Sequence, residues 1–201
     1  MYWMPRLYFL ALFSLILTVN SAAAPLEPTP AQAEGPYYPI LFPSEMDSDL
    51  YHFGPVTASG DPLRIQGKLV NTDGDPLPGI GIEIWQTDAS GAYAHPRDSR
   101  YARRDRNFQF YGRTVTEADG SFSFLTVMPA PYGRRPAHIH AKFHPKAGKR
   151  FITQFYFQGD PLLSEDIIAQ TGLDQLVFDV TRKTEPNGLN VLVIEPTVVL
   201  K

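Results

Sequence analysis

The segment from Pro129 to His140, PAPYGRRPAHIH, places a tyrosine, two arginines and two histidines close together in the chain. His138 and His140 are two residues apart in a run that favours a β-strand. Because side chains alternate between the faces of a strand, both imidazoles lie on one face and Ile139 lies on the other. Such a pair can bind a metal, although histidine pairs also occur on exposed strands that bind nothing.

Two phenols are placed where they can reach this pair. Tyr132 lies in a bend rich in Pro and Gly and can fold back over the strand that follows it. Tyr93 follows Gly91 in IWQTDASGAYAHP, just past a predicted strand, where side chains can project toward a site. Each tyrosine alone is also compatible with a packed loop aromatic.

Together the two phenols and two imidazoles indicate a site for a hard, highly charged transition ion such as ferric iron. Phenolate oxygen is an anionic donor that suits this ion, whereas zinc prefers His, Cys and carboxylate ligands. The chain contains no cysteine, so any metal must take nitrogen and oxygen ligands. A free tyrosine has a pKa near 10, so the ion must displace the phenol proton.

Short alternating runs broken by turn signals indicate the strands that position these side chains. We expect hairpins about Asp73-Gly74 and Asp119-Gly120, and further strands at AHIHAKF, FITQFYF, LVFDVTR and LNVLVIEP. LSEDIIAQTG predicts a short helix with Ser164 as its N-cap and Gly172 past its end. The predicted fold is all-β, an antiparallel β-sandwich with a short helix and long loops.

Three segments follow one another along the chain. Residues 1–24 have the early cation, apolar run and small residues of a signal peptide, which predicts a secreted or periplasmic protein. Residues 25–39 are proline-rich and predict an extended arm over the body or over a neighbouring subunit, which would make a homo-oligomer. Residues 40–201 form the predicted sandwich domain, without an internal repeat.

The composition excludes some functions. The chain has 201 residues, a formal net charge of -3, and 43% apolar and 19% charged residues, which is typical of a globular domain. The negative charge and the lack of a basic stripe disfavour a nucleic-acid partner. No apolar run after the leader is long enough to cross a bilayer, so we do not expect an integral membrane protein.

The motifs GPYYP, LPGIGIEIWQTDASGAY, GRTVTEADGSFSF, PYGRRPAHIH and TQFYFQGDP occur in one order between about Gly35 and Pro161. In this respect the sequence resembles the intradiol ring-cleavage dioxygenases, which include protocatechuate 3,4-dioxygenases and catechol 1,2-dioxygenases. The resemblance implies an Fe(III) enzyme that cleaves catechols with O2 to cis,cis-muconate-type dicarboxylates. Five motifs in order are far more specific than a histidine pair alone.

The resemblance also implies roles for individual residues. A non-haem ferric ion would be held by Tyr93, Tyr132, His138 and His140, with solvent hydroxide in the fifth position. Tyr132 would be the ligand released when a catechol binds as a chelating dianion.

Two further residues match pocket residues of the family. Arg135 corresponds to an arginine that stabilises negative charge on the activated ring, and Gln154 corresponds to a glutamine beside it. Without the resemblance, Arg135 would be interpreted as a surface ion-pair residue and Gln154 as an edge residue facing water. His52, His95 and His144 have no partner at a useful spacing and are expected in loops or at the surface.

The sequence also departs from the family. Only GRRPA separates Tyr132 from His138, whereas protocatechuate enzymes have a longer loop with a tryptophan, and the helical N-terminal domain of catechol 1,2-dioxygenases is missing. The substrate therefore stays open. Two other functions remain: a non-catalytic, transthyretin-like β-sandwich binding module, and a zinc or copper site on the two histidines with different chemistry.

Overall fold

Two five-stranded sheets make up the body of the protein in its computed structural model, which describes Met1 and residues 24–166 and 173–201. The strands of these residues are β1 (Pro62–Asn71), β2 (Gly81–Gln86), β3 (Tyr111–Val115), β4 (Ser121–Val127), β5 (His138–His144), β6 (Phe151–Phe157), β7 (Val177–Phe178), β8 (Thr181–Thr184), β9 (Asn190–Ile194) and β10 (Thr197–Leu200). Helical structure is limited there to two short 3-10 turns, Tyr101–Arg103 and Leu163–Glu165, and one helix, α1 (Leu173–Leu176). The all-β sandwich is therefore confirmed.

The first sheet is built around β1, which has neighbours on both edges. β4 pairs antiparallel along one edge, while β9 and β10 pair in parallel with successive parts of the other edge, and β8 pairs antiparallel with β9. The sheet is therefore mixed rather than purely antiparallel. In the second sheet, with the order β3-β2-β5-β6-β7, only the pairing of β6 with β7 is parallel.

The alternation along β5 divides its side chains between the core and the site. Ile139, Ala141 and Phe143 are buried in the core between the two sheets. His138 and His140 therefore lie on the outer face of the second sheet, as the period of two requires. Both imidazoles are nevertheless 2% exposed, because loops and the N-terminal arm cover that face.

The predicted turn at Asp73-Gly74 forms a short hairpin in which Val70 is bridged antiparallel to Pro76. Neither predicted hairpin continues into the following strand, because each turn connects strands of different sheets. The chain turns tightly at Asp73-Gly74, where the Leu77 N–H donates to the Leu69 carbonyl at 3.0 Å, but β2 then joins the second sheet. The turn at Asp119-Gly120 likewise carries the chain from β3 in the second sheet to β4 in the first. β1 pairs instead with β4, and β2 pairs with β3 and β5. The chain is divided between the sheets in this way because each sheet must bury an apolar face against the other.

The run predicted as the strand LVFDVTR is also divided. Its first part contains β7, which pairs with β6, and its second part enters β8, which pairs with β9. The predicted cap at Ser164 is wrong, because Ser164 lies inside the 3-10 turn Leu163–Glu165 and Asp166 has extended backbone angles. The rest of that predicted helix, residues 167–172, lies outside the described residues.

The arm, residues 25–39, runs along the body of its own chain. The Leu26 N–H donates to the Thr72 carbonyl at 2.7 Å, and the Thr29 N–H donates to the Val199 carbonyl at 3.0 Å. Farther along, the Gln32 N–H donates to the Ile152 carbonyl in β6 at 2.8 Å. The arm thus crosses the second sheet and reaches the face that carries the two histidines.

The predicted signal peptide, residues 1–24, falls almost entirely outside the described residues, so export stays a prediction. Within the described part of the chain, no helix has the length and apolar character needed to cross a membrane.

Candidate metal centre

The structure brings the two phenols and the two imidazoles into one cluster. The Tyr93 Oη lies 3.4 Å from the His138 Nε2, and the rings of His138 and His140 are 4.9 Å apart. The Tyr132 ring lies 5.2 Å from that of Tyr93 and 5.6 Å from that of His138. Side chains from two loops and one strand therefore form a single cluster.

His138 presents a lone pair to this cluster. Its Nδ1 donates to the Pro136 carbonyl at 2.7 Å, which fixes the proton on Nδ1 and leaves Nε2 as the electron-pair donor facing Tyr93. Burial and the Arg135 charge lower the pKa of His138 to about 3. The ring is therefore neutral at neutral pH, which is the form that binds metals.

His140 is held by stacking. Its ring lies parallel to that of Trp85, with centroids 4.7 Å apart and an interplanar angle of 4°. Gly35 of the arm covers the ring: a Cβ at Gly35 would lie 3.2 Å from the His140 Cε1. Burial, His138 and Arg135 together lower the pKa of His140 well below its usual range, so this ring is neutral as well.

Tyr93 is positioned by a loop that two aspartates organise. The Asp88 carboxylate accepts the Ala92 N–H at 3.0 Å, and the Asp98 carboxylate accepts the Tyr93 N–H at 2.6 Å. The phenol is 2% exposed, and burial raises its pKa well above the usual range. In the absence of a bound metal ion, the Tyr93 phenol therefore keeps its proton.

Tyr132 has more freedom than Tyr93. It begins the tight turn Tyr132–Arg135, in which the Arg135 N–H donates to the Tyr132 carbonyl at 3.0 Å and Gly133 has a φ of 57°. The residue is only partly buried. Burial raises the pKa of its phenol, while the Arg135 charge acts in the opposite direction.

The donor set fits a ferric ion. Two neutral imidazoles and two phenols offer four donors, and two phenolates would offset most of the charge of a trivalent ion. Nowhere in the described residues do three His, Cys, Asp or Glu side chains come together to hold a metal. A zinc site of the usual His and carboxylate composition is therefore not formed by these residues.

Arg135 and Gln154 form a network beside the cluster. The Arg135 Nη2 donates to the Gln154 Oε1 and to the Tyr156 Oη, both at 2.9 Å, and the Arg135 Nε donates to the Asp166 carboxylate. Gln154 is fully buried and lies directly across from His140 on the neighbouring strand β6. Gln154 therefore does not face water, and Arg135 forms an ion pair that is partly buried beside the cluster and not one at the open surface.

Sequence reasoning missed several residues of this site. Trp85 and Tyr156 could have been found, because each is out of phase with the core residues of its strand and so faces the same side as the histidines. Tyr37 lies 5.0 Å from the Tyr93 ring and 5.7 Å from the Tyr132 ring, and GPYYP hinted at it only as a motif. No sequence pattern indicated Asp166, because a long loop after β6 brings it to Arg135.

His95 lies in a loop, as expected, but it is buried there and is not at the surface. It is 2% exposed, its ring lies 5.5 Å from that of Tyr37, and its Nδ1 accepts the Arg97 N–H at 3.1 Å. His52 and His144 are farther out and pair with Asp49 and Glu83.

Gly35→Ala is expected to weaken metal binding by about tenfold or more, the size of effect that outer residues have on metal sites. Gly35 has a φ of 76°, and the added Cβ would press on the His140 ring. The matched control is Gly188→Ala, which has a φ of 87° but no atom within 4 Å of the added Cβ. We expect both variants to lose about 1 kcal/mol of stability. Only Gly35→Ala should lose metal affinity, as measured by competition with a chelator. Equal metal affinities in the two variants would show that contact between residue 35 and the His140 ring does not affect metal binding.

A covered cluster of two histidines and two tyrosines thus lies on the outer face of a β-sandwich. A family model described as dioxygenase matches residues 33–135 and 133–200 of the chain. The chain belongs to the intradiol ring-cleavage dioxygenase family.

The chain is also similar to curated members of this family. It is 36% identical over 141 residues to the protocatechuate 3,4-dioxygenase beta chain of Burkholderia cepacia, covering 64% of this chain and 60% of that one. It is 31% identical over 181 residues to catechol 1,2-dioxygenase 1 of Acinetobacter lwoffii, covering 81% and 57%. The chain thus spans less than two thirds of the length of these relatives.

Solved structures give the same fold. The dioxygenase domain of a dioxygenase carbohydrate-binding protein fusion from Streptomyces sp. SirexAA-E superposes with a TM-score of 0.69 at 29% identity, covering 87% of this chain and 99% of that domain. The 3-chlorocatechol 1,2-dioxygenase of Rhodococcus opacus superposes with a TM-score of 0.69 at 22% identity, covering 85% and 72%, which shows the fold alone.

Proposed function

We propose that the protein is an Fe(III)-dependent intradiol dioxygenase that opens catechol-type rings with O2 to cis,cis-muconate-type dicarboxylates. The observation that carries this proposal is the convergence of Tyr93, Tyr132, His138 and His140 beside a partly buried arginine. Membership of the family supports it, as do relatives whose names specify catechol and protocatechuate as substrates.

The four side chains would hold the ion, and a bound ferric ion would supply a strong Lewis acid that activates a chelated catechol. The neutral imidazoles contribute lone pairs, and His138 is already fixed in the required tautomer by Pro136. Burial keeps both phenols protonated without metal, so loading should release protons.

Tyr132 is the phenol better suited to leave when substrate binds. It is partly exposed and sits on a turn with a left-handed glycine, whereas Tyr93 is buried and its backbone is fixed by Asp98. A Tyr132 phenolate freed in this way would accept a proton from a catechol hydroxyl, so the substrate would be held as an anion without a separate buried base.

Arg135 supplies a fixed positive charge next to Tyr132. Its guanidinium is held on one side by Asp166, Gln154 and Tyr156, so its orientation is set before substrate arrives. A preorganised cation that faces developing negative charge in a site with little water lowers the barrier with no reorganisation.

Iron-loaded protein is the material that tests this proposal. We expect a broad visible absorption band from tyrosinate-to-iron charge transfer, and stoichiometric O2 uptake with at least one member of a panel of catechol, protocatechuate, chlorocatechol and hydroxyquinol. Ring opening between the two hydroxylated carbons is identified by the mass and ultraviolet spectrum of the product. A colourless protein that retains zinc or copper, or a coloured protein that consumes no O2 with any catechol, would overturn the proposal in favour of a different metal chemistry or a binding module.

A further inference from the structure

The N-terminal arm is connected to Arg135 through a chain of hydrogen bonds. The Arg135 Nη2 donates to the Tyr156 Oη at 2.9 Å, and the Tyr156 Oη donates to the Gln32 Oε1 of the arm at 2.8 Å. We propose that Tyr156 and Gln32 are positioning residues that hold the Arg135 guanidinium in its working orientation, an inference that rests on the proposed function.

The Tyr156 hydroxyl is well suited to connect the two. The side chain is fully buried, and its hydroxyl donates to the arm while it accepts from Arg135. Its single proton has two acceptors, the Gln32 Oε1 at 2.8 Å and the Gln154 Oε1 at 3.0 Å. The Gln154 oxygen already accepts from Arg135, which leaves Gln32 as the better acceptor.

A second bond from the same part of the arm holds Gln154. The Gln154 Nε2 donates to the Ala33 carbonyl at 3.0 Å, and this fixes which end of the amide faces Arg135. The backbone of Gln32 is in turn anchored on β6 through its bond to Ile152. Arm residues Gln32 and Ala33 thus orient Tyr156 and Gln154, the two neutral side chains that accept hydrogen bonds from the Arg135 Nη2.

Fixing the guanidinium matters because of how its donors are distributed. The two hydrogens of Nη2 are directed to Gln154 and Tyr156, and the Nε hydrogen is directed to Asp166. Arg135 also acts on the Tyr132 phenol through its charge and a side-chain hydrogen bond, so the guanidinium faces the part of the site where charge would develop on the substrate. Loss of the Tyr156 bond would let the plane rotate, and small displacements of a catalytic group lower rates steeply.

The test uses Tyr156→Phe, which keeps the ring against His138 and removes only the hydroxyl, and Gln32→Met, which keeps the length of the side chain and removes the acceptor. Thr29→Val is the control, because the Thr29 hydroxyl accepts the Val199 N–H at 2.8 Å and joins arm to body away from Arg135. We expect kcat to fall about tenfold in each test variant, with iron content, the visible band and KM little changed, and the control to retain wild-type kcat.

The double variant distinguishes positioning from general loosening. If both residues act on Arg135 through one chain, Tyr156→Phe with Gln32→Met is no slower than Tyr156→Phe alone, because the effects are not additive. Multiplied losses of kcat, or iron lost in proportion to kcat, would overturn the proposal.

A measurement without metal separates this inference from the proposed function. In metal-free protein, the Arg135 Nε–H signal, assigned by its loss in Arg135→Lys, should exchange with water about tenfold faster in Tyr156→Phe and in Gln32→Met than in wild type or Thr29→Val. Unchanged exchange would overturn the positioning role. If wild-type protein consumes no O2 with any catechol while these exchange rates still differ, the proposed function fails and the arm-to-arginine connection stands.

Discussion

Replacing His138 with alanine is expected to abolish stoichiometric iron binding and to lower catechol turnover by at least about a thousandfold, as the loss of one member of a cooperating catalytic set does. The Nε2 lone pair of His138 faces the Tyr93 oxygen, and Nδ1 is committed to a backbone carbonyl. No other histidine in the described residues is placed to substitute for it. Iron content after dialysis, the visible band and O2 uptake measure the loss.

His144→Ala is the matched control for this variant. His144 lies on the same strand and on the same face as His138, but it is 31% exposed and pairs with Glu83 at 3.0 Å. We expect it to keep its iron and its turnover. Retention of the visible band in His138→Ala would show that His138 is not a ligand, and loss of iron in both variants would mean that any change in β5 releases the metal.

The second large effect is expected at Arg135, where the structure changes how the experiment must be done. Asp166 is 4% exposed and is paired with Arg135, so Arg135→Met alone removes the positive charge that pairs with a buried carboxylate. Breaking a buried pair in this way costs about 3–5 kcal/mol of stability. A loss of activity in that variant alone would therefore mix unfolding with catalysis.

The double variant Arg135→Met with Asp166→Asn removes both charges. We expect it to recover much of the stability lost by Arg135→Met, as measured by denaturant unfolding, and to bind iron with an unaltered visible band. We expect kcat to remain about a hundredfold below wild type, because the charge that stabilises the activated ring is missing. Arg134→Ala, whose side chain is 91% exposed, is the control with unchanged rate.

Full kcat in the iron-loaded double variant would show that the arginine acts only through its ion pair and would remove it from the proposed mechanism. Recovery of stability without recovery of rate would assign the rate effect to the guanidinium itself.

The sequence by itself determined those features that depend on residues close together in the chain: strand faces, individual strands and loops. The spacing of His138 and His140 placed both imidazoles on one face, because a strand repeats every two residues. The short alternating runs identified most of the strands and the all-β class, and the loops around Tyr93 and Tyr132 were recognisable from Gly and Pro. Ordered motifs then pointed to the family.

Tertiary structure alone decided which strands pair and what surrounds the site. The turns at Asp73-Gly74 and Asp119-Gly120 look like hairpins, but each links the two sheets, because pairing is set by burial of both apolar faces and not by the turn alone. In the same way, Asp166 reaches Arg135 across a long loop, and Gln32 reaches it through Tyr156 from the other end of the chain. Gln32 and Tyr156 are more than a hundred positions apart in the chain, so no local pattern encodes their contact. Only the packing of the sheets brings such residues together.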